Sequence, residues 1–203
     1  MLLDLLFPPP SLDFLSHLST LPLSPFTSPF EGRVSLYPYS SLSSLIHLIK
    51  YQFVTDIIPD LAQIVSSRFQ SSYPRLLNYW RRYHFLLTPI PLSSYRQNWR
   101  GFNQSELLGQ SIAESLNLKY SNQILIRPRH TSPQVGLNPT QRLSNLSSAF
   151  TLKPSLSKEG GPCYCGVGGF VLFDDVFTTG ATLLSAAQVL PSSLRLWAFT
   201  LAA

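Results

Sequence analysis

The sequence predicts an α/β fold in which a parallel sheet is flanked by helices. Three observations lead to this prediction. Apolar, strand-like stretches alternate along the chain with stretches in which apolar residues recur at helical spacing. The segment Val171–Leu183 changes from strand character to helix character within thirteen residues. The composition is that of a globular protein, because 44% of the 203 residues are hydrophobic and only 12% are charged.

Residues 1–40 are rich in Leu, Ser and Pro and show no lasting periodicity, so they are assigned to a separate N-terminal segment. The α/β domain is then expected at residues 41–203. The opening MLLDLLF carries Asp4 and no basic residue, which is not typical of a signal peptide. No apolar run is long enough to span a bilayer. These features predict a cytoplasmic protein without a membrane span.

Two helices are predicted at the start of the domain. Ser40–Lys50 has an apolar face, and Lys50 lies at its end, where a cation complements the helix dipole. Thr55–Phe69 is the second helix. It contains Pro59, and a proline inside a helix removes a backbone hydrogen bond, so a kink is predicted there.

A buried strand is predicted at His84–Leu87, followed by the loop Pro89–Ser94 and the helix Asn103–Leu116. Asn103 has the character of an N-cap, and Glu106 stands three residues later, as in a capping box. The sequence leaves two roles open for Asn103, that of a helix cap and that of a ligand contact.

The remaining elements are a short strand at Gln123–Arg127, a helix that begins at Asn138–Pro139, and a last strand at Leu194–Leu201. The connection at residues 151–169 is of low complexity and ends in several glycines, and no function is assigned to it. Alternating strands and helices place a ligand site at the carboxyl ends of the parallel strands.

Each part of the segment Val171–Leu183 suits a particular group of a ligand. Its apolar strand ends in Asp174 and Asp175, and the turn Thr178–Thr182 then opens a helix. Backbone N–H groups at a helix N-terminus bind phosphate, and Gly180 permits a close approach. Two carboxylates repel a phosphate but suit hydroxyl groups or a metal ion beside it. A phosphate next to a vicinal diol describes a ribose 5-phosphate.

This segment resembles the phosphoribosyl pyrophosphate (PRPP) signature of type I phosphoribosyltransferases. Further stretches make the chain similar to the ComF (competence protein F, or GntX-like) family. They are LIHLIKY at Leu45–Tyr51, PIPL at Pro89–Leu92, RGFNQSELL at Arg100–Leu108, and a series formed by Gln134, Leu137, Arg142, Asn145, Ala149 and Phe150.

The resemblance implies a type I phosphoribosyltransferase-like fold and a glycosyltransferase of nucleotide metabolism. Such an enzyme binds PRPP with Mg²⁺ and transfers the phosphoribosyl group to a nitrogen acceptor, here unidentified, with release of pyrophosphate. It implies a catalytic pair, Asp174 and Asp175, that holds the ribose hydroxyls. The substrate-binding residues it implies are Ser93, Ser94, Arg100, Arg127, Arg129, Arg142, Val176, Phe177, Thr178, Thr179, Gly180, Ala181 and Thr182.

A second hypothesis is a non-catalytic protein of DNA uptake and natural transformation that binds PRPP or single-stranded DNA. Residues 81–153 hold nine Lys and Arg against two Glu, a local charge of +7. A polyanionic ligand explains this asymmetry, but the charge does not distinguish PRPP from nucleic acid. No aromatic series is predicted to interleave with these charges as a base-stacking platform would require.

The N-terminal segment departs from the ComF pattern. Family members commonly carry a cysteine-rich zinc-binding segment after an opening like Leu2–Pro9, but this chain has no cysteine before Cys163. Without thiolates there is no tetrahedral sulfur site. Cys163 and Cys165 are interpreted as incidental thiols, and no protein metal site is predicted.

We therefore expect the purified chain to hold no stoichiometric zinc. A chelator should leave its melting temperature unchanged, because no structural metal would be removed. Elemental analysis of the purified protein measures this, and a value near one zinc per chain would contradict it.

Overall fold

A computed structural model of the chain describes residues 29–128, 149–153 and 166–203. The predictions made for most of the N-terminal segment, for Arg129 and Arg142, and for Cys163 and Cys165 lie outside the described residues. So does the helix predicted to begin at Asn138.

The strands of the described residues form two sheets. The main sheet has the order β1-β7-β6-β2-β3, and each neighbouring pair is parallel. A two-stranded antiparallel sheet joins β4 to β5. The strands are β1 Gly32–Tyr37, β2 Leu86–Pro89, β3 Lys119–Tyr120, β4 Leu125–Ile126, β5 Thr151–Leu152, β6 Gly169–Val176 and β7 Arg195–Ala202.

Six helices connect or flank these strands in the described ranges. They are α1 Tyr39–Gln52, α2 Ile58–Ser72, α3 Pro74–Arg82, α4 Ser94–Arg100, α5 Gln104–Ser115 and α6 Ala181–Ala187. The predicted α/β class with a parallel sheet and flanking helices is confirmed, and the arrangement is consistent with a type I phosphoribosyltransferase-like fold.

The strand β6 is the centre of the sheet because its side chains alternate between two hydrophobic cores. Val171 and Phe173 lie in one core with apolar residues of α1, α2 and α5. Phe170 and Leu172 lie in the other core with residues of α6 and of the β4–β5 sheet. All four side chains are fully buried. Strands covered on both faces are expected to be apolar along their length, as this one is until its carboxyl end.

Two of the predicted elements differ from the structure. No kink forms at Pro59, because the helix begins at Ile58 and the proline occupies its first turn, where its missing N–H has no partner to lose. The predicted strand Gln123–Arg127 is reduced to β4, which pairs with β5 outside the main sheet.

Five elements were not predicted from the sequence, namely β1, α3, α4, β3 and β5. β1 lies inside residues 1–40 and pairs with β7 from Gly32 to Tyr37, so this part of the N-terminal segment belongs to the α/β sheet. The helix α3 begins at Pro74 and buries Leu77 and Trp80 against the core. Within the described ranges no helix is both long and apolar enough to cross a bilayer.

Candidate functional site

A cleft of about 720 Å³ opens at the carboxyl ends of β2 and β6. This is the edge at which the parallel strands of an α/β sheet bind ligands. Its lining combines four basic and two acidic side chains with hydroxyl groups and aromatic rings. These residues are Lys50, Arg96, Arg100, Arg127, Asp174, Asp175, Thr178, Thr182, Tyr51, Tyr95 and Trp99.

Asn103 holds the loop after β2 against helix α5. Its Oδ1 accepts a hydrogen bond from the Ser105 N–H at 3.1 Å, so it caps α5 as predicted. Its Nδ2 donates to the carbonyl oxygen of Ile90 at 3.0 Å. Asn103 is buried, and both ends of its amide are used within the protein. Of the two roles left open by the sequence, the structure shows the helix cap.

The predicted reciprocal half of the capping box does not form. The Glu106 carboxylate accepts a hydrogen bond from the Asn122 side chain instead. Asn122 lies between β3 and β4, and its contact with Glu106 depends on tertiary structure that the local pattern does not reveal.

The first turn of α5 also reaches the acidic pair. Ser105 Oγ donates to Asp174 Oδ1 at 3.0 Å, and the Asp175 N–H donates to the same oxygen at 3.0 Å. This contact requires α5 to lie close to β6. Gly109 permits that approach, because a Cβ there would lie 3.1 Å from the ring of Phe173 and 3.2 Å from Leu87.

Burial and the neighbouring Asp175 carboxylate raise the pKa of Asp174 to about 7. The opposing effects of Lys50 and of the Ser105 hydrogen bond are smaller. Asp174 therefore combines a strongly raised pKa with a place in the wall of the cleft. Such a combination is typical of functional sites.

Lys50 forms an ion pair with Asp175. Its ammonium group contacts Oδ2 of that carboxylate, which is only 6% exposed. Lys50 is in the last turn of α1, as predicted, but its partner lies on β6 rather than on its own helix. The pair offsets one of the two adjacent negative charges and holds the end of α1 over the carboxyl end of the sheet.

The raised pKa of Asp174 predicts a pH dependence of stability. Since the folded-state pKa is about 7 and the ordinary value is 3.8, the folded protein binds the proton more tightly than the unfolded chain. Stability from this group is therefore full below about pH 4, falls as the pH rises towards 7, and is constant above that. Thermal melts of the parent and of Asp174→Asn across this range measure it. The parent should lose stability relative to the variant as the pH rises, and parallel curves would contradict the expectation.

Two arginines extend the positive side of the cleft. Arg100 donates to Gln104 Oε1 at 2.5 Å and lies 5.8 Å from the ring centre of Tyr51. Arg127 lies 5.2 Å from the ring centre of Phe150. Burial lowers the pKa of both guanidinium groups from its ordinary value, and the nearby Arg96 lowers it further. Both remain cations at neutral pH, because an arginine cannot be deprotonated in this range.

The structure brings part of the predicted site together. Seven of the predicted residues line the cleft, namely Asp174, Asp175, Val176, Thr178, Thr182, Arg100 and Arg127. Six others do not line it, namely Ser93, Ser94, Phe177, Thr179, Gly180 and Ala181. Arg129 and Arg142 lie outside the described residues. Substrate binding by all of these residues stays a prediction.

The residues away from the cleft wall have structural contacts of their own. Ser93 is buried, and its carbonyl accepts from the Gln97 N–H at 2.9 Å at the start of α4. The Phe177 ring lies 3.9 Å from the Arg33 guanidinium carbon. Thr179 Oγ1 accepts from the Ala181 N–H at 3.4 Å. The last two contacts shape the turn that leads from β6 to α6.

The sequence did not predict the aromatic side of the cleft. Tyr95 and Trp99 are four residues apart on α4, and Arg96 and Arg100 form the adjacent row. Aromatic and basic side chains therefore do interleave here, which corrects the expectation that they would not. The spacing of these four residues could have revealed this side of the cleft, because residues four apart lie on one face of a helix. No helix was predicted for this stretch.

No family model matches the chain. Among curated proteins, Competence protein F of Haemophilus influenzae is 40% identical over 104 residues, which are 51% of this chain and 43% of that protein. DNA utilization protein YhgH of Salmonella typhimurium is 33% identical over 168 residues, or 80% of this chain and 66% of that protein. Competence protein ComFC of Bacillus subtilis is 35% identical over 157 residues, or 77% and 56%.

The chain belongs to the ComF family. The matches cover between about two fifths and two thirds of the length of these three relatives. The matches over 168 residues are long enough to include more than the PRPP signature. The resemblance recognised in the sequence is therefore confirmed at the level of the family.

Proposed function

We propose that the cleft binds PRPP with Mg²⁺ and that the protein transfers the phosphoribosyl group to a nitrogen acceptor. One observation carries this proposal. The paired carboxylates of Asp174 and Asp175 and the hydroxyls of Thr178 and Thr182 line the same cleft as four basic side chains. A ligand that fits this lining has hydroxyl groups at one point and several negative charges around it.

The acidic pair suits the ribose hydroxyls. Asp174 Oδ1 already accepts two hydrogen bonds from the protein, which fixes the orientation of its carboxylate. Its second oxygen and the Asp175 carboxylate are then the acceptors for a vicinal diol. Hydrogen bonds to a charged acceptor contribute more than neutral ones, about 1.5–3 kcal/mol each. Ligand hydroxyls would also compete with Lys50 for Asp175.

The cations suit the diphosphate. Arg100 lines the cleft, and its buried Nε has no hydrogen-bond partner among the described residues. Arg127 carries its charge to the same cleft. Mg²⁺ would arrive bound to the diphosphate oxygens, since oxygen ligands and few protein contacts are its preferred coordination. Within the described ranges no group of three or more His, Cys, Asp or Glu assembles.

The proposed reaction forms a bond between the acceptor nitrogen and the anomeric carbon. The bond from that carbon to the pyrophosphate oxygen breaks, and pyrophosphate leaves with the electron pair. Positive charge develops on the ribose ring and negative charge on the leaving group. Arg100 and Arg127 would stabilise the leaving group, while Asp174 and Asp175 would hold the ring by its hydroxyls and lie on the side where positive charge develops.

A second candidate function is a non-catalytic PRPP- or single-stranded-DNA-binding protein of DNA uptake. The names of the relatives favour it, because they refer to competence and to DNA utilization. A role in DNA uptake for this chain would be compatible with phosphoribosyl transfer and with binding alone. The basic side of the cleft would then hold phosphates of a strand as well as those of PRPP.

Calorimetry with PRPP and Mg²⁺ tests the proposal, and ribose 5-phosphate is the matched control ligand. We expect saturable binding of PRPP that is tighter than that of ribose 5-phosphate, because only PRPP carries the diphosphate. A screen of nucleobases for pyrophosphate release follows. Base-dependent release would support transfer, and PRPP binding without release would favour the second function. Absence of PRPP binding would contradict both PRPP hypotheses.

A further inference from the structure

An exposed aromatic cluster stands at the rim of the cleft. We call Tyr51, Phe53 and Trp99 the aromatic rim. Their exposed fractions are 53%, 44% and 57%. Of the seven large hydrophobic side chains exposed in the described part of the chain, these three and Tyr95 gather at one place. Clustered exposed rings mark an interaction surface more often than single ones do.

The rim is built from two elements that are far apart in sequence. Trp99 lies on α4, and its ring centre is 6.5 Å from that of Tyr51 and 5.9 Å from that of Phe53. Both contacts are edge-to-face, which is a favourable geometry for aromatic pairs. Phe53 in turn contacts Phe102 at 6.2 Å. The rings therefore support one another, although each ring of the rim remains exposed.

The backbone at Phe53 adopts a strained conformation. This residue caps α1 with φ 59°, a left-handed value that bulky L-residues rarely adopt. Phe53 is thereby placed between Trp99 and Phe102. Strain of this kind persists where the surrounding structure holds it, and it concentrates at ligand sites.

Positive charge lies beside the rim. The Arg100 guanidinium carbon lies 5.8 Å from the Tyr51 ring centre, whereas Lys50, which precedes Tyr51 in the chain, is paired with Asp175. Arg96 is exposed on α4, one helical turn before Arg100. The charge of this surface thus complements an anion, while its rings present apolar faces and edges. A ligand that satisfies both has a flat aromatic group next to a phosphate.

We propose that the aromatic rim binds an unpaired nucleobase by stacking, with Arg96 and Arg100 contacting the adjacent phosphate. Every base has a π-face, so such a platform accepts bases with little sequence preference. A paired base inside a duplex is stacked on both faces, so double-stranded DNA offers the rim no free face except at its ends. The unpaired base can belong to a single strand or to a free nucleotide. This inference does not require PRPP binding.

The chain carries its own reporter for this binding. It has three tryptophans, and Trp80 and Trp197 are 0% and 8% exposed, whereas Trp99 is more than half exposed. A base that stacks on the rim should therefore quench the fluorescence of Trp99 alone. We would titrate the full chain, without PRPP, with a short oligothymidylate and with an abasic strand of equal length. Thymidine monophosphate is the free-nucleotide arm.

We expect the oligothymidylate to quench the tryptophan emission and to bind at least about fivefold more tightly than the abasic strand. Trp99→Ala should lower the affinity for the oligothymidylate by a similar factor. Trp99→Phe should retain most of the affinity but lose the quenching. Arg96→Gln should weaken every strand and lower the salt slope by about one. Quenching by the monophosphate without strand binding would assign the rim to free nucleotides.

The matched control is Tyr83→Ala. Tyr83 is also exposed, and it also lies near arginines, Arg82 and Arg195, but it precedes β2 and so lies towards the opposite edge of the sheet. Its removal should leave strand binding unchanged. Equal affinity for the abasic strand, or equal losses in Trp99→Ala and Tyr83→Ala, would overturn the proposal. Thermal melts of each variant show that the fold is retained. A failure of PRPP binding in the calorimetric test would leave these results standing.

Discussion

Gly180→Val is expected to reduce the affinity for PRPP by at least about 100-fold. Gly180 lies in the turn between β6 and α6 with φ 75°, a left-handed conformation that a β-branched residue avoids. A valine would force the turn to change, and the N–H groups that we expect to surround the 5-phosphate would no longer converge. Loss of two hydrogen bonds to a charged group, at about 1.5–3 kcal/mol each, corresponds to this factor. Calorimetry with PRPP and Mg²⁺ measures it.

Gly166→Val is the matched control for backbone strain. Gly166 has nearly the same backbone angle, φ 80°, and a Cβ there would meet nothing within 4 Å. It precedes β6 and so lies towards the amino edge of the sheet, away from the cleft. Both variants should lose about 1–2 kcal/mol of folding free energy. Only Gly180→Val should lose PRPP affinity, and equal affinities in the two variants would refute the phosphate-binding role of the turn.

Local patterns predicted those elements whose partners are close in sequence or whose apolar residues are numerous. The buried face of α1 was predictable because its four buried residues recur at helical spacing. The strand β6 was predictable because its buried stretch is continuous. In contrast, β1 is half polar and follows a proline-rich segment. It becomes a strand by pairing with β7 at the other end of the chain, which no local window contains.

The candidate site also combines features that a local stretch of sequence reveals with features that depend on distant residues. The acidic pair and the turn after it form one continuous segment, so their order alone indicated a phosphorylated sugar. The contacts of Lys50 with Asp175 and of Ser105 with Asp174 join residues from different elements. They follow from the packing of α1 and α5 around β6. The aromatic rim likewise depends on the meeting of α1 with α4.

Changing Asp174 and Asp175 together to Asn should separate binding from stability. In Asp174→Asn the new side chain can keep both hydrogen bonds to Oδ1, from the Ser105 hydroxyl and from the backbone N–H of residue 175, because an amide oxygen also accepts. The double change also removes the repulsion and the desolvated charge that raise the pKa of Asp174. The double change also removes the ion pair between Lys50 and residue 175. This loss costs little stability, because the long Lys50 side chain is partly exposed and can turn towards solvent.

We therefore expect the melting temperature of the double variant to change little at neutral pH. Asp174→Asn should be the more stable of the two single variants, since it relieves the repulsion and keeps the Lys50 ion pair. PRPP affinity should fall at least about 100-fold in the double variant, because several hydrogen bonds from ribose hydroxyls to carboxylates are weakened. Thermal melts and PRPP titrations on all three variants measure both quantities. If stability fell sharply while PRPP still bound as before, the acidic pair would be a structural feature of the β6 end and not part of the ligand site.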